Sequence, residues 1–132
     1  MMYFHKWEDK EKFDIGPHYS SAHGSVIKGE RMQVALVHKD QGTGSRLHTH
    51  PNEQFNYVLK GALRARVEDE EKVVKAGDLV HIPANAAHYV VAVSEGGASY
   101  YVVKDTSWGI AGEPVDGKNA GPHYEPGFEG GK

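Results

Sequence analysis

The sequence predicts an all-β fold, a barrel or a sandwich, and three of its features do so. Short runs rich in β-branched and aromatic residues recur at regular spacing, glycine- and proline-bearing turns part them, and no stretch shows a helical period of useful length. Many short strands joined in this way are the pattern of antiparallel β architectures. At 132 residues the chain fits one domain with a single core.

Residues 1–29, of which 1–24 are polar and aromatic with a turn signal at Gly16-Pro17, read as an N-terminal arm that wraps the domain or supplies an edge strand. The barrel is expected over 30–104. Its first strand, 32–37 (Met-Gln-Val-Ala-Leu-Val), suits burial on both faces. Gln41-Gly42-Thr43-Gly44-Ser45 breaks it. The run 55–59 is again β-branched and aromatic and ends at Lys60-Gly61. Leu63, Ala65 and Val67 then alternate with Arg64 and Arg66, the mark of a strand with unlike faces, the arginines being read as its solvated side. Glu68-Asp69-Glu70-Glu71 makes an acidic hairpin tip, 72–75 a short strand and Ala76-Gly77-Asp78 a turn. Strands at 79–82 and 89–93 flank Pro83-Ala84-Asn85-Ala86-Ala87, and a last one covers 99–103. Residues 105–132 are rich in glycine and proline and too poor in aliphatic side chains for a core of their own, so they form a flexible tail or an arm laid over the barrel. The tetrapeptide Gly-Pro-His-Tyr of 16–19 returns at 121–124, too short an echo to mark a structural repeat.

Composition narrows the chemistry. A formal charge of −3, with basic residues scattered, gives no ground for a nucleic-acid partner. The absence of cysteine excludes disulfides and thiolate metal sites, so a metal would need imidazole, carboxylate or amide ligands. No segment approaches the roughly 20 apolar residues of a membrane span, and the N-terminus turns charged at Lys6 without an apolar stretch of signal-peptide length. A soluble, cytoplasmic protein with no membrane partner is expected.

Nine histidines are many for this length, but only their spacing is informative. Residues two apart on a strand point to the same side, so His48 and His50 can offer imidazoles to one point in space. Gln54 shares their parity, and its amide oxygen can make a third contact if the chain stays extended or turns back tightly at Pro51-Asn52. Alone, His-x-His is as well read as two surface histidines in a polar turn. A second segment, 77–92, places His88 shortly after a turn containing Pro83.

Together the two segments resemble the paired motifs of the cupin superfamily. The first runs Gly42-x5-His48-x-His50-x3-Gln54-x6-Gly61, and the second Gly77-x5-Pro83-x-Asn85-x2-His88-x3-Ala92. Asn85 stands where the family pattern has glycine, a mild change because asparagine tolerates left-handed turns. Ala92 replaces the closing asparagine. The resemblance covers about 30–103 and implies a double-stranded β-helix, or jelly-roll, barrel with one divalent metal ion (Zn, Ni, Mn or Fe) held inside by His48, His50, Gln54 and His88. Three imidazoles and one oxygen leave positions open for water or substrate, as in catalytic sites. Most metal-binding cupins carry glutamate in place of Gln54, and Glu53 is its neighbour here. Parity puts Gln54 inside; a bulge turning Glu53 inward would instead give three histidines and a glutamate. With Gln54 every ligand is neutral, which favours an anionic substrate oxygen and holds the ion less tightly.

Other residues are candidates for the pocket. Asn56 shares Gln54's parity and is a candidate substrate contact, against a hydrogen bond to nearby backbone. His81, between Val80 and Ile82, is a candidate acid–base group. Arg46, just before the ligands, could pair with a substrate carboxylate. Trp108 either packs at an edge or closes over the mouth, while Tyr57, Tyr89, Tyr100 and Tyr101 are mostly packing. His5, His18, His23, His38 and His123 match no ligand spacing.

Three functions fit. The first is a metal-dependent, non-oxidative enzyme, an isomerase, lyase or cyclase, since the motif stretch is similar to that of small cupins that open unsaturated uronate rings or cyclise polyketides. The others are an iron-dependent dioxygenase and a non-catalytic small-ligand-binding cupin. The partner is a small-molecule substrate in the catalytic readings, and a homodimer is the assembly the resemblance implies.

Overall fold

The computed structural model describes residues 2–129. Apart from one short 3-10 turn at Trp7–Asp9, all its regular structure is β. The strands are β1 (Phe13–Asp14), β2 (His23–Lys28), β3 (Met32–Lys39), β4 (Thr43–Gly44), β5 (His48–Thr49), β6 (Gln54–Lys60) and β7 (Ala62–Val67). They continue with β8 (Glu70–Lys75), β9 (Leu79–Ile82), β10 (His88–Ala92), β11 (Ala98–Asp105), β12 (Glu113–Pro114) and β13 (His123–Tyr124). No helix among the described residues is long and apolar enough to cross a membrane.

Two antiparallel sheets face one another as a jelly-roll barrel. The first runs β1-β2-β3-β11-β6-β9. The second centres on β10, which pairs with β7 on one side and with the short β4 and β5 on the other; β8 extends it beyond β7. The tail supplies its last two strands, with β12 against β5 and β13 against β4. The 105–132 segment is therefore, over its described part, an arm laid along the barrel.

Strand alternation fills the lumen in rows. Gln33, Lys104 and Gln54 stand side by side across β3, β11 and β6; Ala35, Val102 and Asn56 form the next row, and Val37, Tyr100 and Val58 the third. The chain 32–37 is thus not buried on both faces: Gln33, Ala35 and Val37 point inward, while Val34 and Leu36 are half-buried on the outer face. That outer face is apolar, which is why the run looks continuous in sequence. Leu63, Val58, Ile82 and Ala92 are fully buried in the core, and burying each large aliphatic one contributes about 1.5–3 kcal/mol.

Two turns carry backbone that their residues were chosen for. Asn85 sits at φ +66°, the left-handed conformation expected of the position where the family pattern has glycine, and its N–H donates to the His50 carbonyl at 2.9 Å. Gly61 closes the β6–β7 hairpin at φ +82°, where a Cβ would also lie 2.4 Å from the Gly97 carbonyl oxygen.

Candidate metal centre

The two motif segments meet through strand pairing. His88 opens β10 directly opposite His48 of β5, and His50 follows two residues on. Gln54 starts β6, and its inward parity brings it to the same end of the lumen. The ring nitrogens that His48, His50 and His88 can offer lie within 4.8 Å of one another, and all three residues are buried. These three histidines could hold a metal ion.

The tautomers are fixed by the backbone. His48 Nδ1 meets the Arg46 carbonyl at 2.8 Å, His50 Nδ1 the Asn52 carbonyl at 2.9 Å, and His88 Nδ1 the Ala86 carbonyl at 2.8 Å. A carbonyl oxygen only accepts, so each Nδ1 carries the hydrogen and each Nε2 is left with a free lone pair. Those lone pairs converge: His50 Nε2 is 3.2 Å from His88 Nε2 and 2.8 Å from Gln54 Oε1. Gln54 is oriented in turn, its amide N–H donating to Asn56 Oδ1 at 2.6 Å. Acceptors packed this closely need a cation or a proton among them, and neutral nitrogen and oxygen donors suit a divalent ion of the zinc, nickel, manganese or iron type.

Burial keeps the imidazoles neutral. It is the largest influence on all three, pushing His88 down to about 3, His48 well below the usual histidine range, and His50 down as well. For His48 the neighbouring His88 adds to the effect, and for His50 the charge of Lys104 does.

Other candidates lie elsewhere. His81 is on the outer face of β9, half exposed, with Nε2 2.6 Å from Glu53 Oε2 and its ring stacked on Phe55 at 4.8 Å. Neither His81 nor Glu53 faces the lumen, because both have the opposite parity to Ile82 and Gln54, and neither lines the cavity. Arg46 is spent on the arms. It forms a two-pronged ion pair with Asp116 and donates to the carbonyls of His18, Lys118 and Gly121. Asn56 does line the cavity. Arg64 is bound to Glu125 of the tail rather than solvated. Trp108 is exposed, and Ile110 and Gly112, a few residues on, pack over the site instead.

A cavity of about 50 Å³ opens beside the histidines. Its wall includes His48, His88, Gln54 and Asn56, and also Lys39, Lys104 and Tyr19, which sequence reasoning did not single out. Parity was the available signal: Lys39 is in step with Gln33, Ala35 and Val37, and Lys104 with Tyr100 and Val102. Asn52 was missed too. Fully buried, it presents its carbonyl to His50 and donates its amide to the carbonyls of Asp105, Trp108 and Gly109, which ties the ligand loop to the start of the tail.

Comparison with known proteins agrees with this architecture. The cupin domain family matches residues 35–104, more than half of the chain. The chain belongs to the cupin family. Among curated relatives, it is 33% identical over 66 residues to mannose-1-phosphate guanylyltransferase 2 of Escherichia coli O157:H7, covering 48% of this chain and 14% of that one. It is 29% identical over 69 residues to the uncharacterized protein MJ1618 of Methanocaldococcus jannaschii, covering 52% and 55%. The chain thus spans only part of either relative's length. An RmlC-like cupin from Shewanella frigidimarina superposes with a TM-score of 0.70 at 23% identity over 80% of this chain and 91% of that one. KdgF from a Halomonas species gives 0.70 at 20% identity over 80% and 94%. At these identities the likeness is one of fold.

Proposed function

We propose that the chain is a metal-dependent, non-oxidative enzyme, an isomerase, lyase or cyclase, acting on a small oxygen-bearing organic molecule. His48, His50, His88 and Gln54 are the ligands of one divalent ion in this reading. The observation that carries it is the convergence of three histidine lone pairs and an amide oxygen beside a cavity, with each ring's tautomer set by a backbone carbonyl. When bound, the ion supplies Lewis-acid polarisation of a substrate oxygen. The protein's own residues do the rest. Tyr19 and Ile110 narrow the cavity and exclude water, and the Asn56 amide offers a hydrogen bond to substrate. Neutral ligands leave the ion's charge uncompensated, which supports an anionic oxygen as its partner.

The same reading has two copies pairing through the outer face of the first sheet. Phe55, Tyr57, Leu59 and Leu79 are exposed there, on adjacent strands, as is common of faces that are covered in an assembly.

Metal analysis of aerobically purified protein, with turnover of a panel of small hydroxy and keto acids measured with and without oxygen, tests the reaction class. About one zinc, nickel or manganese per chain and oxygen-independent turnover, lost in His50→Ala, are expected. Iron with oxygen consumption would turn the assignment to a dioxygenase, and ligand binding undiminished in metal-free His50→Ala to a non-catalytic barrel.

A further inference from the structure

We infer that Lys39 and Lys104 form a two-point anion site inside the barrel, and that the ligand of the cavity is a small organic dianion. The inference rests on the reading of the three histidines as a metal centre and adds the substrate's charge to it.

Both lysines are almost completely buried, at 2% and 3% exposed, and both line the cavity that His48, His88 and Gln54 line. Buried lysines are ordinarily paired with a carboxylate. These are not: among the described residues, no ion pair involves either of them. Lys39 Nζ donates to the Val90 carbonyl at 2.8 Å and to Ser45 Oγ at 3.5 Å, and Lys104 Nζ to the Ile110 carbonyl at 2.5 Å. Neutral acceptors satisfy some N–H groups but leave the charge unanswered. No aspartate or glutamate lines the cavity at all.

A separate group asks for the same kind of ligand. Asn56, fully buried in the row between the metal end and the core, uses its oxygen to hold Gln54 and has no acceptor for its own N–H2. The cavity therefore offers an unused amide donor and two buried lysine amines with no carboxylate partner, beside the neutral side chains that would hold a dication. The lysines and the dication favour negative charge on the ligand, and the amide an acceptor oxygen.

Placement of the lysines argues for two acidic groups rather than one. Lys104 stands next to Gln54 across the β6–β11 ladder. Lys39 lies opposite Ala98, six residues away along β11, so the two backbones are on the order of 20 Å apart at about 3.3 Å per residue. Their side chains reach inward from opposite ends. The charge of Lys39 is felt at His48 and His88, that of Lys104 at His50 and His88. Entering the cavity from different points, the two lysines favour a ligand that carries two acidic groups. The volume of about 50 Å³ amounts to only a handful of water positions at about 10–15 Å³ each, which selects a compact molecule.

Calorimetric titration with malonate as the dianion, acetate as the monoanion and malonamide as the neutral analogue tests this on zinc-loaded and on metal-free protein. The variants are Lys39→Met and Lys104→Met, with Lys→Gln at each as a second pair, all checked for an intact melting transition. Malonate should bind the loaded protein at least about tenfold more tightly than acetate, malonamide should not bind, and either methionine variant should weaken malonate by about tenfold or more. Malonate affinity unchanged in folded Lys39→Met and Lys104→Met, or malonamide binding as well as malonate, would overturn the anion site while leaving zinc retention untouched. A chain that retains no zinc yet binds malonate in a lysine-dependent way would overturn the metal reading and keep the anion site.

Discussion

Lys39 and Lys104 give the protein an unusual dependence on pH. Burial pushes each down to about 7, whereas an unfolded lysine titrates near 10.4. Between those values the unfolded chain binds more protons than the folded one, so stability rises with pH across that window. Tyr19, pushed up to about 12 by burial, acts in the opposite sense above about pH 10, where unfolded tyrosines ionise first. On the acid side the depressed histidines lower stability as pH falls below about 6.5. The melting temperature of the metal-free protein should therefore climb from pH 7 to about 9.5. Lys39→Met should flatten the climb and raise the value at pH 7, because it removes an unpaired buried charge; a profile that is level in the wild type would contradict this. These lysines also mark where sequence reading stopped. The His-x-His pair, Gln54 and His88 stand out by spacing, and parity places the Gln54 side chain inward and that of Glu53 outward, as they lie in the structure. A lysine near a strand end, by contrast, looks like a solvent-facing residue unless its parity is weighed against its neighbours.

At the level of elements, the tail is what the sequence left undecided. Its composition excludes a core but cannot tell a loose segment from one stitched down, because the stitches are backbone pairings and a few side chains from distant positions. β12 lies against β5, the strand that carries His48, and Gly112 just before it packs on the His48 and His50 rings. A Cβ there would come within 2.6 Å of the Thr49 carbonyl oxygen, 3.1 Å of the His50 ring and 3.2 Å of the His48 ring. Gly112→Ala must displace backbone or turn those rings. Since groups that orient metal ligands typically contribute about 10–100-fold in affinity, Gly112→Ala should weaken zinc retention by about tenfold in a competition with a chelator, with the melting temperature of the metal-free form changed far less. Equal zinc affinity in the two proteins would show that the tail does not bear on the histidines. The longer strands from β3 onward are legible, since short apolar runs between glycine turns have few other solutions, whereas β2 falls within the expected N-terminal arm and the short β4 and β5 within expected loops. The first of them misled only about its outer side.

For the whole molecule, that outer side matters most. Tyr101 pairs with Tyr57 and with Leu36, and Val103 with Phe55 and Val34, so a band of apolar side chains crosses the outer surface of the first sheet. In sedimentation at micromolar concentration the protein should behave as a dimer. Tyr57→Glu, in the middle of the band, should yield a monomer of unchanged metal content, and a wild type that sediments as a monomer would refute the pairing.

The two Gly-Pro-His-Tyr copies meet in space: the Gly121 N–H donates to the His18 carbonyl at 3.0 Å, and Arg46 grips both segments. Tyr19, from the first segment, accepts from the Gly112 N–H at 2.8 Å while facing the His48 ring at 4.3 Å. Tyr19 and Ile110, which line the cavity, thus come from the segments that precede and follow the barrel strands, clasped by one guanidinium. Exchanging Tyr19 and Ile110 therefore reshapes the cavity without replacing any of the three histidines.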